Sequence, residues 1–258
     1  MEKLKPIIVV ADDGGLHETI NEGTRVAAER RAISCVDYMV EERGAIIEAL
    51  SLHNEFPHVS IGLHVSIPGI NDYAVTALSY SCRWRPLDKL YKEQLIRHTE
   101  KQIKIFQDAF GYQPAHLSTQ GNLHLDYGGN SFIWFLELME RLSGSEVSTI
   151  LVRGIDTIPI RHTRFREMIL GRNPLTPEQF RLMLHNMSPS VDRPLELVVH
   201  PAQRLNWPTE PPLKAFYITT LRECDLNSLL EILNEGVIEK AGYEIVPPEV
   251  LLSRQITK

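Results

Sequence analysis

Segments typical of β-strands and of α-helices alternate along the first part of this sequence. Apolar, β-branched runs at 7–10, 32–40 and 59–67 predict three strands. Between them, residues 17–31 and 45–52 contain good helix formers with apolar residues at helical spacing. Strands that are separated by helices usually pair in parallel, because the connection has to cross back over the sheet. The alternation therefore predicts an α/β fold with a mainly parallel sheet.

The same alternation continues toward the end of the chain. Further helices are expected at 87–110, 132–142, 177–187 and 226–241, and further strands at 114–120, 149–153, 195–201 and 243–246. The 258 residues contain no internal repeat and no low-complexity tract, and an α/β barrel can reach about 250 residues as one unit. We therefore expect a single domain over residues 1–258.

Composition limits the partners that this chain can have. The formal net charge is −6 and no block of Lys or Arg occurs, which argues against nucleic-acid binding. No apolar run is long enough to span a membrane, and residues 1–5 lack the pattern of a secretory signal. Cys35, Cys82 and Cys224 are too far apart for a disulfide framework or a zinc knuckle. The expectation is a cytoplasmic protein that binds neither nucleic acid nor membrane.

Polar side chains suited to catalysis follow four of the predicted strands. Asp12 and Asp13 come after the first strand, and His64 lies near the end of the third. The segment from His116 to His124 follows in the same way, and His200 ends a later strand. The carboxyl ends of parallel strands share one rim, where ligand sites form. The coincidence predicts a catalytic site at that rim.

The adjacent carboxylates of Asp12 and Asp13 allow two interpretations. Burying two like charges is costly unless a cation or a proton compensates, so the pair suggests a metal ion, a shared proton, or both. Alternatively, one Asp caps the helix that begins near His17 while the other faces water.

A metal ion would define the chemistry of this rim. Carboxylate and imidazole ligands suit zinc or another divalent ion with an open coordination position. Such an ion polarises a carbonyl and activates water, while a remaining carboxylate and a histidine serve as general base and general acid. That chemistry indicates a hydrolase for an amide or an ester.

Four short motifs together resemble the YdjC-like carbohydrate deacetylases, a family that includes the chitooligosaccharide deacetylases. They are VADDGG at 10–15, IGLH at 61–64, PAHL at 114–117 and ELVVHP at 196–201, in the order and approximate spacing of the family. The resemblance implies a distorted (β/α) barrel that uses a divalent metal ion, zinc or magnesium, to remove acetyl groups from N-acetylated sugars. It also implies a small, sugar-like substrate and allows a homodimer.

The resemblance also implies roles for individual residues. Asp12 would be the general base, and Asp13 and His64 would be metal ligands. His200 would assist the leaving group or orient the base. The further candidates for the site are His124 as a third metal ligand and His116, Gln120 and Trp84 as substrate contacts. Trp84 lies in an irregular segment, where its ring can stack on a sugar or pack at the edge of the core.

The sequence departs from the family pattern at three positions. Gly14 replaces an aromatic residue, Ser118 replaces the Asp of a His-x-Asp-x-His motif, and Gln120 replaces its last His. Because a neutral Gln oxygen binds transition metals poorly, His124 would have to supply the third nitrogen. Two hypotheses result: a metal-dependent deacetylase, or a metal-deficient, repurposed barrel that binds a sugar-like ligand without hydrolysing it. Metal content of the purified protein discriminates between them.

Overall fold

The structure is a computed structural model that describes residues 4–66, 89–120, 135, 137–138, 141, 150–161, 176–187, 194–203 and 222–256. Trp84, His124 and most of the helix expected at 132–142 lie outside these ranges. In the described part of the chain, no helix is long and apolar enough to cross a membrane.

The described strands form one eight-stranded sheet in which every pairing is parallel. The strands are β1 (Lys5–Gly14), β2 (Cys35–Tyr38), β3 (Ser60–Val65), β4 (His116–Thr119), β5 (Leu151–Val152), β6 (Ile158–Arg161), β7 (Leu195–Val199) and β8 (Tyr243–Ile245). Their order is β5-β4-β3-β2-β1-β7-β6, and β8 pairs with the beginning of β1. A parallel sheet that forms a half-barrel with helices confirms the predicted α/β class.

Seven helices with defined bounds accompany the sheet, and the described residues 135, 137–138 and 141 are also helical. The seven helices are α1 (Glu18–Glu29), α2 (Ala45–Glu55), α3 (Lys89–Phe110), α4 (Pro177–Asn186), α5 (Arg222–Asn234), α6 (Val237–Lys240) and α7 (Pro248–Ile256). The cap of α1 is His17, whose Nδ1 accepts a hydrogen bond from the backbone N–H of Thr19. Neither Asp12 nor Asp13 therefore caps this helix, and one of the two interpretations of the acidic pair is wrong.

The structure differs from the sequence-based expectation at three elements after residue 150. β6 was not expected; it contains Pro159, which an edge strand tolerates because its missing N–H is not needed for pairing on the open side. The helix expected at 226–241 is two helices, since Gly236 adopts a positive φ of +61° between α5 and α6. No helix was expected after residue 246, but α7 begins at Pro248, because proline suits the first turn of a helix.

The central position of β1 determines where the site lies. Its residues from Ile7 to Ala11 have no exposed surface, and the strand pairs with β2, β7 and β8. Because all strands run in one direction, the carboxyl ends of β4, β3, β2, β1 and β7 stand side by side. β8 also joins the last part of the described chain to its first strand; the single domain over 1–258 remains a prediction.

Candidate active site

A β-bulge in β1 brings the two acidic side chains to one place. β1 pairs with β2 at Ala11 and again at Gly14, so Asp12 and Asp13 together stand opposite the single residue Asp37. Asp13 adopts a left-handed φ of +65°, which Asp tolerates better than most residues. The extra residue turns the chain, so that both buried carboxylates lie close enough to interact with the same two histidines.

Asp13 and His64 face each other across the rim. Asp13 Oδ1 lies 3.2 Å from His64 Nε2, and Asp13 Oδ2 accepts a hydrogen bond of 2.5 Å from Arg222 Nη2. Burial raises the pKa of Asp13, but Arg222 and His64 outweigh it and hold that pKa well below its usual range. Asp13 is therefore ionised at any working pH.

The hydrogen bonds of Ser118 identify which nitrogen of His64 carries a proton. Ser118 Oγ donates its only proton to Asp37 Oδ2 at 2.5 Å, so it accepts from His64 Nδ1 at 2.7 Å. In the neutral ring, Nε2 then presents a lone pair to the Asp13 carboxylate. Two electron-rich atoms at 3.2 Å repel unless a cation or a proton compensates. This pair is consequently suited to hold a metal ion.

The pKa of His64 is consistent with that arrangement. Burial lowers this pKa, yet the charges of Asp12 and Asp13 raise it above its ordinary value. The same carboxylates that favour a proton on Nε2 also favour a metal ion there. Among the described residues, possible ligand atoms of Asp12, Asp37 and His64 also lie within 4.8 Å of one another, but both oxygens of Asp12 already accept hydrogen bonds from Arg153.

Asp12 is fixed by a fully buried arginine that the sequence analysis did not identify. Both Asp12 oxygens accept hydrogen bonds of 2.7 Å from the two terminal nitrogens of Arg153. Arg153 Nε donates to Glu196 Oε1 at 2.5 Å on its other side. Although burial raises the pKa of Asp12, Arg153 and two nearby histidines together lower it well below its usual range. Asp12 is an ionised, precisely oriented carboxylate with a low affinity for protons.

His116 lies underneath the site instead of beside a substrate. Its Nδ1 donates to Asp37 Oδ2 at 2.8 Å, its Nε2 is 3.3 Å from Glu196 Oε2, and the residue has no exposed surface. Burial lowers its pKa, but the two carboxylates raise the pKa of His116 to about 10. The structure therefore corrects the expected substrate contact: His116 is a buried imidazolium that holds other charges in place.

Gly62 explains why a charged side chain fits between β2 and β4. A Cβ at Gly62 would lie 2.0 Å from Asp37 Oδ1 and 2.9 Å from the backbone oxygen of His116. Any other residue at this position of β3 would therefore displace Asp37. The glycine of the IGLH motif thus makes room for the carboxylate that receives hydrogen bonds from His116 and Ser118.

Every buried charge in the described residues belongs to this one assembly. The carboxylates are those of Asp12, Asp13, Asp37, Glu196 and Asp225, and the cations are Arg153, Arg222 and protonated His116. Counted by formal charge, five carboxylates face these three cations, while the pKa of His64 is raised and that of His200 is lowered. Among these residues the balance is negative, which favours an additional cation.

His200 is the most accessible of the four residues expected to converge. Its side chain is 34% exposed, its Nε2 lies 3.8 Å from Asp12 Oδ2, and its Nδ1 lies 3.9 Å from Asp225 Oδ2. The backbone N–H of His200 donates to Asp225 Oδ2 at 2.6 Å, which fixes the end of β7 to α5. Burial, followed by the charge of Arg222, lowers the pKa of His200, so its ring is neutral near pH 7.

The segment after His200 is held against α1 by close packing. Gln203 N–H donates to the backbone oxygen of Thr19 at 2.8 Å. A Cβ on Gly23 would lie 2.3 Å from the Cα of Ala202, so glycine allows α1 to approach this segment. These contacts with α1 help to fix the position of His200, in addition to its backbone hydrogen bond to Asp225 on α5.

The structure thus brings together Asp12, Asp13, His64 and His200, as the sequence analysis expected. Gln120 directly follows β4 and is partly exposed at the same end of the sheet. The placement of His124 and Trp84 lies outside the described residues.

The fold and this site define a class of protein: a parallel (β/α) half-barrel with carboxylates and histidines at the carboxyl ends of its strands. Comparison with known families is more specific, because the chain matches the YdjC-like protein family over residues 6–231. The chain belongs to that family, which confirms the resemblance of the four motifs.

Individual relatives are distant. The chitooligosaccharide deacetylase of Enterobacter sp. (strain 638) is 27% identical over 133 residues, covering 48% of this chain and 52% of that protein. The match thus spans about half of that relative's length.

Two solved structures share the fold. A proposed cellobiose-phosphate cleavage protein from Enterococcus faecalis V583 has a TM-score of 0.66 at 15% identity, covering 96% of this chain and 99% of that chain. A CE4 esterase from Streptococcus mutans has a TM-score of 0.55 at 12% identity, covering 95% and 86%.

Proposed function

We propose that this protein is a metal-dependent hydrolase that removes an acetyl or other acyl group from an N-acetylated sugar or a related amide. The observation that carries the proposal is the pair of facing atoms Asp13 Oδ1 and His64 Nε2, beside the fixed carboxylate of Asp12. Membership of the YdjC-like family and the matched chitooligosaccharide deacetylase support the choice of an N-acetylated sugar.

Asp13 and His64 would hold the metal ion, with His124 as the proposed third ligand. The distance of 3.2 Å between the facing atoms suits two adjacent ligands, because metal–ligand bonds of about 2.1 Å place such ligands roughly 3 Å apart. Zinc and magnesium are both candidates for this ion. When bound, the ion would supply Lewis-acid polarisation of the scissile carbonyl and acidify the attacking water.

Asp12 would take a proton from the water that attacks the carbonyl carbon. Arg153 holds both oxygens of Asp12 and so fixes the direction from which the carboxylate can accept that proton. The same contact makes Asp12 a weak base, since its pKa lies well below the usual range. A weak base suffices only if the water is acidified, which links the role of Asp12 to a bound cation.

His200 would deliver a proton to the nitrogen of the departing amine. Its side chain is 34% exposed, and its Nε2 lies 3.8 Å from Asp12 Oδ2. Because the ring is neutral near pH 7, it can receive a proton from Asp12 and pass it to the nitrogen as the C–N bond breaks. The products are then a carboxylic acid and a free amine, so water is consumed and all atoms balance.

The remaining expectations complete the proposal. Gln120 would contact the substrate at the rim, and Trp84 would stack on a sugar ring. His116 would act as a positioning residue, because it touches Asp37 and Glu196 and is completely buried. A cytoplasmic location and a homodimer remain predictions.

The test measures acetate release from N,N′-diacetylchitobiose by the purified protein, with zinc or magnesium added and with a chelator. Asp12→Asn should lower the rate by 10²–10⁴-fold, the range of general base catalysis, while leaving metal binding intact. Asp13→Asn and His64→Gln should lose both activity and bound metal. Arg181→Met, which removes an exposed ion pair to Glu178, is the matched control and should change neither quantity.

One outcome of this test would favour the hypothesis of a metal-deficient barrel that binds a sugar without hydrolysing it. Binding of the sugar without acetate release, and without any metal in the wild-type protein, would indicate a repurposed barrel. The replacements of the usual family residues by Ser118 and Gln120 are the sequence features that favour that alternative.

A further inference from the structure

Arg222 places a permanent positive charge directly on the proposed metal ligand Asp13. The residue is 5% exposed, and its Nη2 donates to Asp13 Oδ2 at 2.5 Å. Arg222 is the first residue of α5, and its backbone oxygen accepts a hydrogen bond from Ala202 N–H at 3.3 Å. The arginine is therefore anchored to the segment that follows β7.

The two oxygens of Asp13 interact with different groups. Oδ1 faces His64 Nε2 at 3.2 Å, whereas Oδ2 receives the hydrogen bond from Arg222. A metal ion held by Oδ1 and His64 would therefore share its carboxylate with a guanidinium. Two positive charges on one buried carboxylate repel each other, and water screens that repulsion poorly in the interior.

An arginine is also a cation that pH cannot remove. The guanidinium stays protonated in proteins, so Arg222 neutralises Asp13 whether or not a metal ion is present. Without Arg222, the described cluster would lose one of the three cations that face its buried carboxylates. The attraction for a divalent ion would then increase.

We infer that Arg222 is an internal competitor of the metal ion at Asp13. It holds the carboxylate in its orientation in the metal-free protein, and it lowers the affinity of the site for the ion. The inference rests on the proposed function, since it requires Asp13 and His64 to be metal ligands.

The test compares zinc binding by isothermal titration calorimetry in the metal-free, full-length protein and its variants. Arg222→Met removes the charge while keeping much of the side-chain volume, and it should bind zinc at least tenfold more tightly than the wild type. Arg222→Lys keeps the charge and should remain close to the wild type. Arg181→Met is the control for loss of an arginine far from the site and should have no effect.

A second charge-removing variant and a thermal measurement show whether a change in zinc binding comes from misfolding of one variant. Arg222→Gln should tighten zinc binding in the same direction, and added zinc should raise the melting temperature of either charge-removing variant more than that of the wild type. Unchanged or weaker zinc binding in both variants would overturn the inference and would make Arg222 a residue that positions Asp13 for the metal.

Zinc binding by the wild type and the variants separates a failure of this inference from a failure of the proposed function. If wild-type zinc binding disappears in Asp13→Asn but does not tighten in the Arg222 variants, only the competition is refuted. If zinc binds neither the wild type nor the Arg222 variants, the metal site and the competition are both refuted.

Discussion

Two neighbouring groups of charges share the carboxyl ends of the strands but are built differently. The inner cluster consists of Asp37, His116, Arg153 and Glu196 and has no exposed surface. Hydrogen bonds of 2.8 and 2.5 Å join His116 to Asp37 and Arg153 to Glu196, and His116 Nε2 lies 3.3 Å from Glu196 Oε2. The rim group consists of Asp13, His64 and His200; its imidazole nitrogens lie 3.2–3.9 Å from carboxylate oxygens, and Asp13 also accepts a hydrogen bond of 2.5 Å from Arg222. Each inner charge thus faces an opposite charge within a completely buried cluster, whereas the rim group is partly open through the 34% exposed side chain of His200.

Because the two groups differ in burial and pairing, we expect the inner cluster to support the structure and the rim group to bind a ligand. A buried network of opposite charges is costly to disturb, so the inner cluster can hold the rim group in place. Asp12 and Ser118 connect the two groups, through Arg153 on one side and through Asp37 and His64 on the other. Variants in each group should therefore affect different properties.

The largest effect on stability is expected from Arg153→Met in the inner cluster. This change leaves Asp12 and Glu196 buried without their main cation, which costs about 3–5 kcal/mol of unfolding free energy. Urea denaturation measures the loss. In the control Arg25→Met, the lost ion pairs with Glu48 and Glu55 are partly exposed, and the cost should be about 1 kcal/mol or less. Equal losses in the two variants would contradict a distinct inner cluster.

The next effect is a decline of stability at alkaline pH caused by His116. Its pKa is raised from 6.5 to about 10 in the folded protein, so its contribution is complete below pH 6.5. As the pH rises from there through about 10, the imidazolium loses its proton and that contribution disappears. The unfolding free energy should thus fall by a few kcal/mol over this interval.

Urea titrations at pH 6, 8 and 10 give this pH profile. In His116→Gln the alkaline decline should be much smaller, because the group that loses the proton is absent. An identical decline in the variant would show that another group is responsible.

A smaller effect is expected at the connection between the two groups. Ser118→Ala removes the hydroxyl that links Asp37 to His64 Nδ1, so the ring loses its fixed tautomer and orientation. Loss of such a supporting contact typically lowers metal affinity by about 10–100-fold. Zinc calorimetry tests this expectation. Ser60→Ala removes a hydroxyl near the opposite end of the sheet, beside Glu249, and should leave zinc binding unchanged.

The sequence predicts the rim group well and the inner cluster poorly. Asp13, His64 and His200 could be placed together because parallel strands end at one rim, irrespective of the order of the strands. The contacts of Arg153 with Asp12 and of Arg222 with Asp13 join residues 141 and 209 positions apart, and they depend on packing that local patterns do not encode.

A signal for the inner cluster was nevertheless present. Asp37 and Glu196 are single charges inside otherwise apolar strands, a pattern that requires a buried partner. His116 shows the limit of such signals. The sequence places it at the beginning of β4, but its partners on β2 and β7 follow only from the strand order β4-β3-β2-β1-β7.

The left-handed backbone of Asp13 also constrains protein engineering at this position. Its φ of +65° favours Gly and Asn among the possible replacements and disfavours β-branched residues. A library randomised at position 13 should therefore recover folded proteins mainly with Asp, Asn or Gly. Alanine at this position would combine a missing carboxylate with a distorted strand, so asparagine is the replacement that isolates the charge.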